Sequence, residues 1–408
     1  MTATVVTGLG VLAPNGSGLD EYWAATLRGE SAIHRIERFD PERYPAKLGG
    51  EFTGFDVRER LPGRLIPQTD RMTQFALVAS DDALADAKID LADWSSSDMG
   101  VITASSSGGF EFGQHELEKL YAKGPGHVSA YMSFAWFYAV NSGQLSIRHG
   151  MRGPTGVFVA EQAGGLDAVA QARRKIRRGL GLVLTGGMDA SLCPYGMAAH
   201  MAGGRISERD DPGTAYLPFA EDANGHVPGE GGAILTVENA DRARERGARV
   251  YGEIAGYGAT FDPPASSGRP ANLRRAAAIA LADAGLSPSD IAVVFADAAG
   301  SPELDRIEAD AITALFGPHG VPVTAPKAAI GRLHSGAAPL DLVCALQAVR
   351  EGLAPPTANV AAADPAYRID LVVGEPRRLD GTAALVLARG YGGFNAAMVV
   401  RGVSGKET

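Results

Sequence analysis

Short apolar runs alternate with longer amphipathic stretches along most of the chain. Short apolar runs bounded by glycine, proline or polar clusters read as buried strands. Stretches with apolar residues every three to four positions read as helices. The pattern predicts strands over residues 4–7, 100–103, 156–160, 180–185 and 233–237, then over 250–254, 292–296, 321–324, 369–373 and 383–388. It predicts helices over 73–87, 165–178, 272–284, 302–315 and 339–350, and another starting near Phe110. Strands alternating with helices define an α/β fold.

The two series of strands look alike. Asp98-Met99-Gly100-Val101-Ile102 opens a strand in the first, and Asp290-Ile291-Ala292-Val293-Val294 opens one in the second. A glycine turn follows each, Ser107-Gly108-Gly109 or Ala298-Ala299-Gly300, and then a helix. A strand, a small-residue turn and a helix run from Val157 to Gly179, and again from Val323 to Gly352. Each half is then expected to close with two more strands. Such a period is far longer than a solenoid repeat. Two pseudo-symmetric halves, 1–245 and 246–408, fit better than a barrel of eight equal units. The stretch 239–247 is charged and helical rather than linker-like, and 203–232 interrupts the strand rhythm as a long loop of the kind that often carries function.

Composition narrows the class. Of 408 residues, 45% are hydrophobic and 21% charged, which excludes a disordered or fibrous chain. The net charge of −9 disfavours nucleic acid and anionic membrane as partners. No apolar run approaches the ~18 residues of a membrane-spanning helix. Residues 1–8 lack a basic region and a long apolar core, so they read as a strand, not a signal peptide. Two cysteines, Cys193 and Cys344, leave no disulfide framework and point to the cytoplasm.

Most candidate chemistry has a plain alternative. Gly8-Leu9-Gly10 partly matches a dinucleotide fingerprint, but Pro14-Asn15-Gly16 blocks the helix such a site needs, so a turn is expected. None of the eight histidines is spaced as a metal ligand, so neither metal nor cofactor is expected. Cys344 falls in a helical apolar pattern and reads as a small core residue. Cys193, before Pro194, is either inert or a reactive thiol. The run Arg173-Arg174-Lys175-Ile176-Arg177-Arg178 is either a set of cations at a helix C-terminus or a docking patch for an acidic partner.

The most informative stretch is Val157-Phe158-Val159-Ala160-Glu161-Gln162-Ala163-Gly164-Gly165. An apolar strand turns sharply into a helix, a corner that exposes its apex residue where a nucleophile would be activated and an oxyanion stabilised. The apex is expected to be Gln162, and an amide is no acyl-accepting nucleophile.

Together with Ala160–Gly165, three further segments carry a family resemblance: 133–141 (SFAWFYAVN), 148–154 (RHGMRGP) and 228–233 (PGEGGA). With 392–395 (GGFN) they make nearly the whole chain resemble the thiolase-fold ketosynthases. The closer likeness is to the chain length factors, the ketosynthase beta subunits of bacterial type II polyketide synthases. The resemblance implies two stacked halves in an α-β-α-β-α layering. Active members of the family use one Cys, two His and a Lys. Here the Cys position is Gln162, the His positions are Ala299 and Arg332, and the Lys is kept as Lys327.

The resemblance further implies a heterodimer with a Cys-bearing ketosynthase alpha subunit. That subunit takes acyl groups from acyl carrier protein and condenses malonyl units. The growing poly-β-keto chain then lies in a tunnel at the subunit interface. Positions matching Phe110, Gly113 and Leu117 act as gates in the family, with Tyr195 nearby in the tunnel. Phe110, Gly113 and Leu117 also share one helical face, which ordinary core packing explains equally. The aromatic run Tyr131, Phe134, Trp136, Phe137 and Tyr138 is either subunit interface or core. Three functions stay open: a non-condensing, length-setting subunit, a malonyl decarboxylase acting through Gln162, and a purely structural partner.

Overall fold

The protein was analysed as a computed structural model that describes residues 3–403. The main strands are β1 (Thr4–Ala13), β2 (Met99–Ala104), β3 (Thr155–Phe158), β4 (Leu182–Asp189), β5 (Gly231–Asn239) and β6 (Gly252–Phe261). The series continues with β7 (Val293–Phe295), β8 (Pro322–Thr324), β9 (Asp370–Leu371), β10 (Ala383–Gly390) and β11 (Phe394–Arg401). The main helices are α1 (Leu19–Leu27), α2 (Arg71–Asp86), α3 (Phe110–Lys123), α4 (Val140–His149) and α5 (Glu161–Arg177). They are followed by α6 (Pro194–Ala202), α7 (Leu273–Ala284), α8 (Pro302–Phe316) and α9 (Ala337–Glu351).

Strand order makes the duplication explicit. The path is β9-β8-β7-β10-β11-β6-β1-β5-β4-β2-β3. Read outward from the centre, β1-β5-β4-β2-β3 repeats as β6-β11-β10-β7-β8. The pairing senses repeat as well: β2 is parallel to both β3 and β4, and β7 is parallel to both β8 and β10. The halves meet where Val5 pairs with Glu253 and Val6 with Gly252. The two closing strands of the second half are therefore β10 and β11, whereas the sequence pattern named 369–373 and 383–388. Residues 370–371 add an extra edge strand, and β11 was not foreseen.

The period-2 geometry of strands sends alternate residues to opposite layers. On β10, Ala384 and Val386 face a central cluster, while Leu385 and Leu387 face an outer one. Strands covered on both faces read as continuous apolar runs. Helices α5 and α9 fill the central layer, and every residue from Ala337 to Val349 is buried. Helix α2 covers the outside of the first half, and α7 and α8 cover the outside of the second. The result is the α-β-α-β-α layering.

Gly8 and Gly10 lie inside β1, not in a turn as expected. A Cβ on Gly10 would land on the carbonyl oxygen of Ala79, and one on Gly8 on that of Ala83, both in α2. The pseudo-equivalent Gly256 and Gly258 on β6 stand in the same relation to Ala280 and Ala276 of α7. Paired glycines let each half seat its outer helix directly on its first strand.

The structure also places both cysteines and part of the basic run. Cys344 is buried, with its Sγ 3.2 Å from Tyr22 Oη. Cys193 is buried at the start of α6, and burial pushes its thiol up to about 11, which disfavours the thiolate. Arg173 Nη1 lies 2.5 Å from Asp283 Oδ2, and Arg177 also faces Asp283. This part of the basic run ties α5 to α7 across the halves.

Candidate active-site remnant and gate helix

The corner between β3 and α5 is sharp, and its strained residue is Glu161, with φ of 50°. Gln162 follows and is not exposed as the sequence suggested: it is 0% accessible. Its Nε2 donates to Asp297 Oδ1 at 2.6 Å, and its Oε1 has no hydrogen-bond partner among the described residues. The corner thus turns its amide away from solvent and into a carboxylate.

Asp297 is the hub. Arg332 Nη1 donates to Asp297 Oδ2 at 3.2 Å, and Arg332 Nε donates to Glu161 Oε1 at the same distance. The backbone N–H of Arg389 adds a bond to Asp297 Oδ1 at 2.8 Å, and that of Tyr391 one to Glu161 Oε2 at 2.5 Å. Burial works against the charge of Glu161, but Arg332 and His334 outweigh it and hold this carboxyl well below the usual range. Burial likewise opposes the charge on Arg332, and Asp297 with Glu161 outweighs it, leaving the guanidinium fixed in its charged form.

Ala299 contributes only a methyl group to this region, and Tyr216 Oη holds the adjacent Ala298 carbonyl at 2.7 Å. Lys327 is sealed in. Its Nζ donates to Ala296 O at 2.5 Å and pairs with Asp341 at 2.6 Å, so it braces the loop that carries Asp297. A cavity of about 380 Å³ remains beside the corner, lined among others by Glu161, His200, His226, Ala299, Arg332 and His334. Neither Gln162 nor Lys327 lines it. His200 and His334 stack with centroids 4.8 Å apart, and burial together with His334 pushes His200 down to about 3. His200 and His226, both pushed down by burial, and a locked guanidinium offer hydrogen bonds but no nucleophile. Among the described residues no group of His, Cys, Asp or Glu is arranged to hold a metal.

The gate candidates lie elsewhere, on α3 and α6. The rings of Phe110 and Tyr195 pack at 5.0 Å, and Tyr195 N donates to Gln114 Oε1 at 2.9 Å. Gly113 faces Trp136, whose Cβ would lie 3.6 Å from an added methyl. Leu117 is 38% exposed and Tyr195 51%. Gly113 is buried and Phe110 half-buried, so core packing still accounts for those two, but not for the exposed Leu117 and Tyr195. Tyr131, Trp136, Phe137 and Tyr138 are also exposed, whereas Phe134 packs inward.

Comparison with known proteins agrees with this layout. Residues 1–243 match the beta-ketoacyl synthase N-terminal domain, and residues 251–361 match the C-terminal domain. The tetracenomycin polyketide synthase ketoacyl synthase beta subunit of Streptomyces glaucescens is 57% identical over 399 residues, covering 97% of this chain and 98% of that protein. The chain belongs to the beta-ketoacyl synthase family, among its polyketide-synthase beta subunits. The fold is shared with the ishigamide ketosynthase/chain length factor at a TM-score of 0.90 and 25% identity, covering 99% of this chain and 100% of that one. It is also shared with a type II polyketide ketosynthase solved with its acyl-carrier protein and bound to the hexaketide (TM-score 0.88, 26% identity, 98% and 100% covered).

For a ketosynthase-family chain, the site residues that pattern reading missed are instructive. Glu161 sat inside the recognised corner but was passed over for its neighbour. Asp297, His200, His226 and His334 come from four separate segments, which only the fold brings together. The one sequence signal was chemical: an arginine replacing a histidine needs a nearby acid, and Asp297 stands two residues before Ala299.

Among the described residues no helix is long and apolar enough to cross a membrane.

Proposed function

We propose that this chain is the non-condensing, length-setting beta subunit of a type II polyketide synthase. The observation that carries this reading is Gln162. At the position of a ketosynthase nucleophile stands a fully buried amide, bonded to Asp297 at 2.6 Å. Arg332 occupies a position that in active relatives holds a histidine, and its charge is spent on Asp297 and Glu161. Chemistry on the acyl chain then falls to a Cys-bearing alpha subunit, supplied by acyl carrier protein with its phosphopantetheine-bound malonyl or polyketide chain.

Strand β3 forms one edge of the sheet and is only partly covered. The exposed Tyr131, Trp136, Phe137 and Tyr138 make an apolar patch of the kind that marks an interface. We assign this face to the alpha subunit. Helix α3, with half-buried Phe110, buried Gly113 and exposed Leu117, and Tyr195 of α6 then form the far wall of the interface tunnel.

The kinship with polyketide-synthase subunits and the unpaired Cys193 and Cys344 support a cytoplasmic place. We divide the chain at 245/246, between the matching strand sets. The test is co-expression with the alpha partner, carrier protein and a malonyl-loading enzyme, with mass measurement of the product. A chain of defined length that changes with the gate residues supports the reading. Condensation by this chain without its partner overturns it. The decarboxylase alternative is disfavoured by the burial of Gln162, which does not line the cavity.

A further inference from the structure

Asp70 serves two helices at once. It precedes α2 as N-cap, with Oδ1 accepting from Met72 N at 2.8 Å. Its other oxygen, Oδ2, accepts from Phe112 N at 2.9 Å, in the first turn of α3. The residue is 2% exposed. Helix α3 has no side-chain cap of its own, because its N-cap is Gly109. The acceptor its first turn lacks is therefore supplied from far back in the chain.

Gly109 makes the approach possible. A Cβ there would fall 2.8 Å from Asp70 Cβ and collide with the carbonyl of Ala135. The N–H of Gly109 donates to Trp136 O at 3.0 Å. The start of α3 is thus held between Asp70 on one side and the aromatic segment on the other. Arg38 adds a lateral tie, bonding both to Glu111 of α3 and to Glu230. A single cap needs one acceptor, which a hydroxyl or an amide provides. Two acceptors aimed at two helices call for a carboxylate.

We propose that Asp70 is a positioning residue for product length. By fixing the first turn of α3 it sets where Phe110, Gly113 and Leu117 stand in the tunnel; the inference rests on the gate reading above.

The test uses Asp70→Asn and Asp70→Ser in the heterodimer, with carrier protein and malonyl loading. Both variants keep an acceptor for Met72 N, and neither serves both helices. The ratio of main-length to off-length product is expected to fall about three- to tenfold, the order set by losing one ordinary hydrogen bond. If malonyl consumption drops while the ratio holds in both variants, Asp70 is merely structural and the proposal is overturned. Gly113→Trp is measured alongside. If it shortens the product and the Asp70 variants leave length unchanged, this inference alone fails; if Gly113→Trp also leaves length unchanged, the gate reading has failed. Should neither Asp70 variant assemble, hydrogen exchange on the unaltered heterodimer decides. The peptide spanning 110–113 is expected to be protected, and exchange at the unstructured rate overturns the proposal.

Discussion

Glu161 and His334 face each other across the central layer, with His334 Nδ1 3.6 Å from Glu161 Oε1. Both are held in left-handed backbone, at φ 50° and 48°. Each stands just before or at the start of a central helix, Glu161 at α5 and His334 ahead of α9. They are the apices of the two pseudo-equivalent corners. Ser335 Oγ donates to the carbonyl of Glu161 at 3.0 Å, fastening one corner to the other. In this chain the place where two halves converge is an ion-paired seam. Strained backbone of this kind costs about 1–3 kcal/mol per residue and persists only where the surroundings over-determine it.

Restoring the missing thiol should not restore chemistry. In Gln162→Cys the new sulfur would lie beside the Asp297 carboxylate, which disfavours the thiolate. Ala299 and Arg332 would still supply no relay. The expected outcome is acylation from acyl carrier protein at less than about a tenth of the alpha subunit's level, because a nucleophile without an activating base is weak. Intact-protein mass spectrometry of the separated subunits checks this, and rapid stoichiometric loading of the variant would contradict it.

Arg332 should matter to stability far more than a surface arginine. It is 5% exposed and pairs with two carboxylates, one of them Asp297 at 1% exposure. Arg332→Ala would leave both carboxylates without their guanidinium partner, a loss on the order of 3–5 kcal/mol. Arg332→Lys should rescue little, since one ammonium cannot reach both acids in a fork. The pH dependence has a definite sign. The carboxyl of Glu161 is held below its unfolded value, so its stabilisation is full above the ordinary glutamate range and is lost as pH falls. Denaturant titrations of the heterodimer at neutral and acid pH should show the variant's deficit shrinking towards acid. A deficit that grows would refute the assignment.

How much of this was written in the sequence depends on the range of the interaction. The alternation of strands and helices and the duplicated Gly-turn-helix units were legible, because local periodicity encodes them. Strand β11 was not. Its alternating Ala396, Met398 and Val400 follow directly after Gly392-Gly393 and resemble a terminal tail until β6 and β10 flank them. The paired glycines of β1 were visible but misread, since a turn and a helix contact favour the same residue. Their recurrence at Gly256 and Gly258 was the available clue. The corner was placed to within one residue, yet which side chain it buried depended on Asp297, a partner from the other half.

The glycine pairs give a packing prediction that is independent of function. Gly10→Ala would press its methyl against the Ala79 carbonyl, and Gly258→Ala against that of Ala276. Neither contact is with a flexible side-chain tip, so β1 or β6 must separate from its helix. Overpacking of this kind costs about 1–3 kcal/mol, and more where backbone must shift. Similar losses in both variants, read from thermal unfolding of the heterodimer, would reflect the pseudo-symmetry. A neutral outcome at either site would mean the helix is not seated as described.

Gly113 should behave in the opposite way. An added methyl meets nothing closer than Trp136 Cβ at 3.6 Å, an ordinary contact distance. Gly113 lies within α3, where glycine is a poor helix former, so Gly113→Ala should stabilise by roughly 0.5–1 kcal/mol. Its product length should stay nearly unchanged, because one methyl scarcely narrows the wall. Gly113→Trp adds an indole at a buried position of α3 that faces Trp136, between Phe110 and Leu117 in the helix. There it would fill the space that the growing chain needs, and the product should lose at least one ketide unit. Product masses from heterodimers carrying each variant separate volume from helix stability: Ala changes the second and Trp the first. If Trp leaves the mass unaltered while the heterodimer still turns over, α3 does not line the tunnel, and its exposed apolar face serves only to bind the alpha subunit.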